Sequence, residues 1–170
     1  LLSDVEESVR WAAARALRVV SGHPEVMTRL IALTHTGALP EVESPWKLFR
    51  YDGNWDIRSG AVDALSGAAQ HPVVMTRLIA LTHDAEWSVR WRAVKALHEI
   101  VGRPELEALL IKFPYDRDSR VQSEWVRLIA ATRAAWRPEV QENLVRLLSE
   151  ESWGVQSEAA QALQGAALQP

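Results

Sequence analysis

HPEVMTRLIALTH, residues 23–35, returns as HPVVMTRLIALTH, residues 71–83, with Glu25 against Val73 as the single difference. A packed single core has no use for a duplicated segment, because each core position has its own shape to fill. A stack of tandem units does, because each unit meets copies of itself. The phrase is one half of such a unit. The other half reads DVEESVRWAAARAL from Asp4, DGNWDIRSGAVDAL from Asp52 and DAEWSVRWRAVKAL from Asp84. It continues as DRDSRVQSEWVRLI from Asp116 and EESWGVQSEAAQAL from Glu150. In each, an acidic residue precedes a Val or Ile by five positions, and Arg or Gln follows. The aligned residues are Val9, Ile57, Val89, Val121 and Val155, spaced 48, 32, 32 and 34 apart.

Each copy encodes two helices. Pro24, Pro72, Pro104 and Pro138 start the first, since proline suits a first helical turn whose N–H has no partner. Segments such as LIALT then place apolar residues at three- and four-residue spacings. In the second helix, small or apolar residues fall four, seven and eight positions after the aligned Val: Ala13, Ala16 and Leu17, or Ala93, Ala96 and Leu97. At about 100° per residue they form one stripe roughly 100° wide. Neither helix can bury its stripe alone. The expected fold is therefore all-α: a right-handed α-α superhelix of about nine helices in four to five layers.

The pattern acidic-x4-Val-Arg-x2-Ala-x2-Ala-Leu, preceded by a proline-started helix, resembles the HEAT repeat, in its short HEAT-like form. The resemblance covers essentially all of residues 1–170, taken as a single array. It implies a concave face lined by the second helices. It also implies an Asp–Arg ladder between layers, built from Asp4, Asp52, Asp84 and Asp116 with Arg10, Arg58 and Arg90. Gln122, Gln156 and Glu150 depart from that pattern, so the ladder is expected to weaken toward the C-terminus. The opening LLSDVEES has no initiating Met, which reads as a piece of a longer protein.

Composition narrows the function. Hydrophobic residues make up 48% and the net charge is −3, so the chain is globular and lacks the basic excess of a nucleic-acid binder. There is no cysteine, which excludes disulfides, thiolate metal sites and cysteine nucleophiles and fits a reducing, cytoplasmic setting. No apolar run reaches the roughly 18 residues of a membrane span.

The first spacing exceeds the second by 16 residues. They lie at 36–51 as TGALPEVESPWKLFRY, an insertion between the two helices of one copy. Pro40 and Pro45 bar a continuous helix there. Trp46, Phe49 and Tyr51 either fold back over a neighbouring layer or form a recognition loop.

Eight tryptophans are many for this length. Trp55, Trp87 and Trp153 stand two before the aligned Val and are read as packing residues. Trp11 and Trp91 stand two after it, about 200° around the helix and opposite the buried stripe. Arg15, Asp63, Lys95 and Arg127 (six after) and Arg18, Ser66 and His98 (nine after) share that side. Trp and Arg dominate protein interfaces. The candidate partner-binding set is thus Trp11, Trp91, Arg15, Arg18, Lys95, His98 and Arg127, with Trp46, Phe49 and Tyr51 of the insertion. Trp125 is a bulky ring four after the Val, where the other copies have Ala, and a local change of curvature is expected around 121–137.

Catalytic and metal motifs are absent: no phosphate loop, no G-x-S-x-G, and His98-Glu99 has Gly102 where a second His would stand. No cofactor is implied. The first expectation is a non-catalytic scaffold that binds a protein or peptide. The resemblance leaves two alternatives, a lyase acting on bilins and the sensor or scaffold region of a larger signalling NTPase.

Overall fold

The computed structural model describes residues 17–36, 54–112 and 115–167. Eight α-helices, the end of another at residues 17–20 and no strand occur among the described residues. They are α1 (Pro24–Thr36), α2 (Asn54–Leu65), α3 (Pro72–Leu81), α4 (Trp87–Leu97), α5 (Pro104–Ile111), α6 (Ser119–Ala130), α7 (Pro138–Leu147) and α8 (Trp153–Ala167). Short 3₁₀ turns at Ser66–Ala68, His98–Ile100 and Arg133–Trp136 link one copy to the next. The chain forms two compact units, residues 1–99 and 100–170.

The first helix of each copy begins on its proline: Pro24, Pro72, Pro104 and Pro138. His71, Arg103 and Arg137 precede three of them in extended conformation and offer no side-chain cap, so the proline ring sets the helical φ. Residues two, six and nine after the proline face inward. Val74, Leu78 and Leu81 are buried in α3, and Val140, Leu144 and Leu147 in α7.

The second helix begins two or three residues after the acidic one, for a local reason. Asp84 Oδ1 accepts from the Glu86 N–H at 2.9 Å, and Asp116 Oδ1 accepts from the Asp118 N–H at 2.8 Å. Each carboxylate closes an Asx turn that aims the chain into the helix.

In the first unit α1 packs on α2 and α3, while α4 packs on α2 and α3. First helices thus form one layer and second helices the other. The second unit repeats this, with α8 against α6 and α7, and α5 against α7. Val89, Val121 and Val155 are all buried, as are Ala61, Ala93 and Ala159 four positions after the aligned residue. Burial runs wider than the expected stripe. Val62 and Val126, five after the aligned residue, are fully buried on helices that carry a further second helix beside them. Ala160 holds that place on α8 and is exposed.

Trp125 is 1% exposed where the other copies bury alanine. The longer copy takes up its extra residues in the Arg133–Trp136 turn, which packs on α6 and buries Ala134 and Ala135.

Candidate functional site

The stripe settles which side of each second helix is left over. Residues two, three, six and nine after the aligned Val occupy the outer arc, at about 180–300° from it. On α4 these are Trp91, Arg92, Lys95 and His98; on α2 they are Ser59, Gly60, Asp63 and, just beyond its end, Ser66.

Trp91 is half-buried, and Lys95 lies over its ring, 4.8 Å from the centroid. Arg92 stands 5.9 Å from the same ring. These are cation–π contacts between an aromatic face and ammonium or guanidinium groups. Arg92 also donates to Asp63 Oδ2 at 2.6 Å, joining α4 to α2. Burial pushes the Asp63 carboxyl above the usual carboxylate range, against the opposing pull of Arg92, Lys95 and Arg18. Arg18 donates to Glu99 Oε1 at 2.9 Å, so residues 81 apart in sequence meet at the ends of their helices. His98 is half-buried in the 3₁₀ turn that ends α4. The first unit thus brings Arg92, Lys95 and Arg18 around Asp63, with Trp91 against Arg92 and Lys95 and with His98 at the end of α4.

Arg127 belongs to the second unit and plays a structural part there. Its guanidinium donates to Glu158 through two nitrogens, one at 2.8 Å, and reaches Glu124 at 3.4 Å. The side chain remains 57% exposed, but its charge is matched. Trp11, Arg15, Trp46, Phe49 and Tyr51 lie outside the described residues, as do Asp4, Asp52 and Arg10.

One rung of the expected Asp–Arg ladder is formed. Arg58 grips Asp84 of the following copy with two 2.9 Å hydrogen bonds, and both side chains are largely buried. Arg90 donates to the Asp84 and Ala85 carbonyls of its own copy. Gln122 and Gln156 turn the same way: Gln122 Oε1 accepts from the Asp116 N–H, and Gln156 Nε2 donates to the Glu150 carbonyl. The glutamines keep the local loop contact but lack the fork that grips a carboxylate. A further cross-layer contact comes from the duplicated phrase, where Arg77 donates to the Thr34 hydroxyl and carbonyl, each at 2.7 Å.

Two features escaped the sequence reading. The first is a pair of equivalent cross-layer ion pairs, Asp63–Arg92 and Arg127–Glu158. Opposite charges at positions six and three of successive registered copies were the available signal. The second is a correction. Trp153 and Trp55 do not serve as packing residues, being 78% and 42% exposed. Two before the aligned Val lies about 160° around the helix from it, off the buried stripe. Trp87 is half-buried. No cluster of His, Asp or Glu able to hold a metal occurs among the described residues, and none of their helices is long and apolar enough to cross a membrane.

Paired helices in two layers, repeated in register, define an all-α helical-repeat protein. An engineered protein solved by crystallography shares that fold, with a TM-score of 0.54 at 23% identity over 95% of this chain and 74% of the other. A designed armadillo repeat protein aligns over 92% of both chains at 18% identity, with a TM-score of 0.34, too loose a superposition to bear on the fold. No family model and no curated protein matches the chain.

Proposed function

We propose that the chain is a non-catalytic scaffold of the short HEAT-like type that binds a protein or peptide on the outer arc of its second helices. The observation that carries this reading is Trp91 with Lys95 stacked on it at 4.8 Å, opposite the buried stripe of α4. A half-buried indole already fixed by a cation is a pre-organised anchor, since little rotamer freedom remains to be lost on binding. Arg18 and His98 belong to the same unit. Arg127 contributes there chiefly by holding two layers together. The 36–51 insertion, with Trp46, Phe49 and Tyr51, would extend the surface from the turn side.

The test is direct. Peptides selected from a random display library on the wild-type protein are titrated against W91A and K95A by calorimetry. W91A should weaken the dominant peptide class at least about tenfold, with K95A smaller. Unchanged affinity in W91A, with an unchanged thermal melt, removes this site.

A further inference from the structure

Among the described residues of the second unit, Tyr115 and Trp153 are the most exposed aromatic side chains. Tyr115 is 63% exposed in the turn between α5 and α6, and Trp153 is 78% exposed at the start of α8. The turns that hold them precede α6 and α8, which pack against each other. The Glu150 charge holds the Tyr115 phenol above its ordinary pKa. The Glu150 carbonyl accepts from Gln156, which fastens the turn that presents Trp153. Glu151, next in the chain, is exposed. Asp116 follows Tyr115 directly. Arg117 follows and is exposed, and Arg120 donates two hydrogen bonds to Asp118.

Folding does not explain these rings. Trp153 is the first residue of α8 and lies off the buried stripe, and Tyr115 sits in a turn. Two exposed aromatic faces flanking carboxylates make a surface of defined chemistry. The rings attract a cation through their quadrupoles and bury its alkyl stem, while the carboxylates supply counter-charge. The same carboxylates repel a phosphate backbone or an anionic bilayer.

We propose that the turn edge of the second unit, centred on Tyr115, Glu150 and Trp153, docks an arginine- or lysine-bearing segment of a partner protein. This surface is independent of Trp91, so either can fail alone.

A fluorescein-labelled Gly/Ser peptide carrying four arginines is the probe, and the same peptide with four glutamates is the control. Fluorescence anisotropy should report binding of the first and none of the second. W153A should weaken it about tenfold or more, E150Q/E151Q about fivefold, and W153F less than W153A, while W91A leaves it unchanged. Circular dichroism should show W153A folded, since so little of the ring is buried. The proposal is overturned if the arginine peptide does not bind or W153A binds it as wild type does. It is also overturned if sedimentation shows that Trp153 holds two copies of this chain together.

Discussion

Asp63 and Arg92 meet at 2.6 Å between α2 and α4, and Arg127 and Glu158 meet at the equivalent positions of α6 and α8 with the charges exchanged. Position six of one copy faces position three of the next, so the site asks for opposite charges and is indifferent to their order. Arg92 is 14% exposed and Asp63 30%, enough water to hold the net gain to roughly 1 kcal/mol. R92D should destabilise the first unit by about 2 kcal/mol, because two carboxylates then face each other. D63R/R92D should recover most of that loss, as the order already found at Arg127–Glu158 implies. Urea denaturation of the four members of the cycle measures this; a double variant no better than R92D contradicts the equivalence.

The acid response of the protein should contain two opposed contributions. Burial raises the Asp63 carboxyl pKa, so its stabilising contribution is fully present below the unfolded value and is lost as pH rises through the folded one. Asp118 is the reverse. The Arg120 side chain and N–H hydrogen-bond its carboxylate and hold it below the usual range as the cap of α6. Its contribution is present above the unfolded value and is lost as pH falls through the folded one. D118A should therefore cost about 1 kcal/mol at neutral pH and progressively less in acid. The stability of wild type relative to D63N should rise as the pH drops toward 4, because the protonated carboxyl no longer bears the cost of burying its charge. Thermal melts of both variants across that range check the two signs.

Helix starts, copy register and most of the core were legible because each is set locally. A proline fixes a first turn, an acidic residue closes an Asx turn, and alanine spacing marks the stripe. What stayed hidden depends on neighbours. Val62 and Val126 are buried on helices beside which the next copy's second helix packs, and the spacing within one copy carries no trace of that contact. Trp55 and Trp153 misled through residue type, since indoles suggest packing while their register places them outward. The ion pair at Asp63 required two copies to be aligned against each other. Arg127 looked free for a partner because its acceptor, Glu158, stands 31 residues away.

Gly67 and Gly165 should respond oppositely to alanine. A Cβ on Gly67 would lie 2.5 Å from the Arg18 carbonyl oxygen and 2.9 Å from both Arg18 Cγ and Ser21 Oγ. Backbone cannot yield as a side chain can, so G67A should cost about 1–3 kcal/mol. On Gly165, within α8, a Cβ meets nothing within 4 Å. G165A should stabilise by about 0.5–1 kcal/mol through helix propensity alone. Chemical denaturation of both variants decides it, and equal effects would mean that the backbone at Arg18 does not approach Gly67.

Trp125 offers the sharpest test of the second unit. Ala61, Ala93 and Ala159 fill its position in other copies, yet its ring is 1% exposed and its neighbours Val121, Leu128 and Ile129 are fully buried. The space around it has been built to an indole, with small Ala134 and Ala135 buried in the turn that packs on α6. Substituting the residue that the repeat pattern favours should therefore harm this copy. W125A should destabilise the second unit by about 3–5 kcal/mol through lost burial and the cavity left behind. W125F should cost less than half as much, and W153A, which removes a mostly exposed ring from the same unit, under about 0.5 kcal/mol. Denaturation followed by hydrogen exchange on α6–α8 reads the effect in that unit. A W125A protein as stable as wild type would show that alanine packs there as it does in the other copies, and that the indole fills no space of its own.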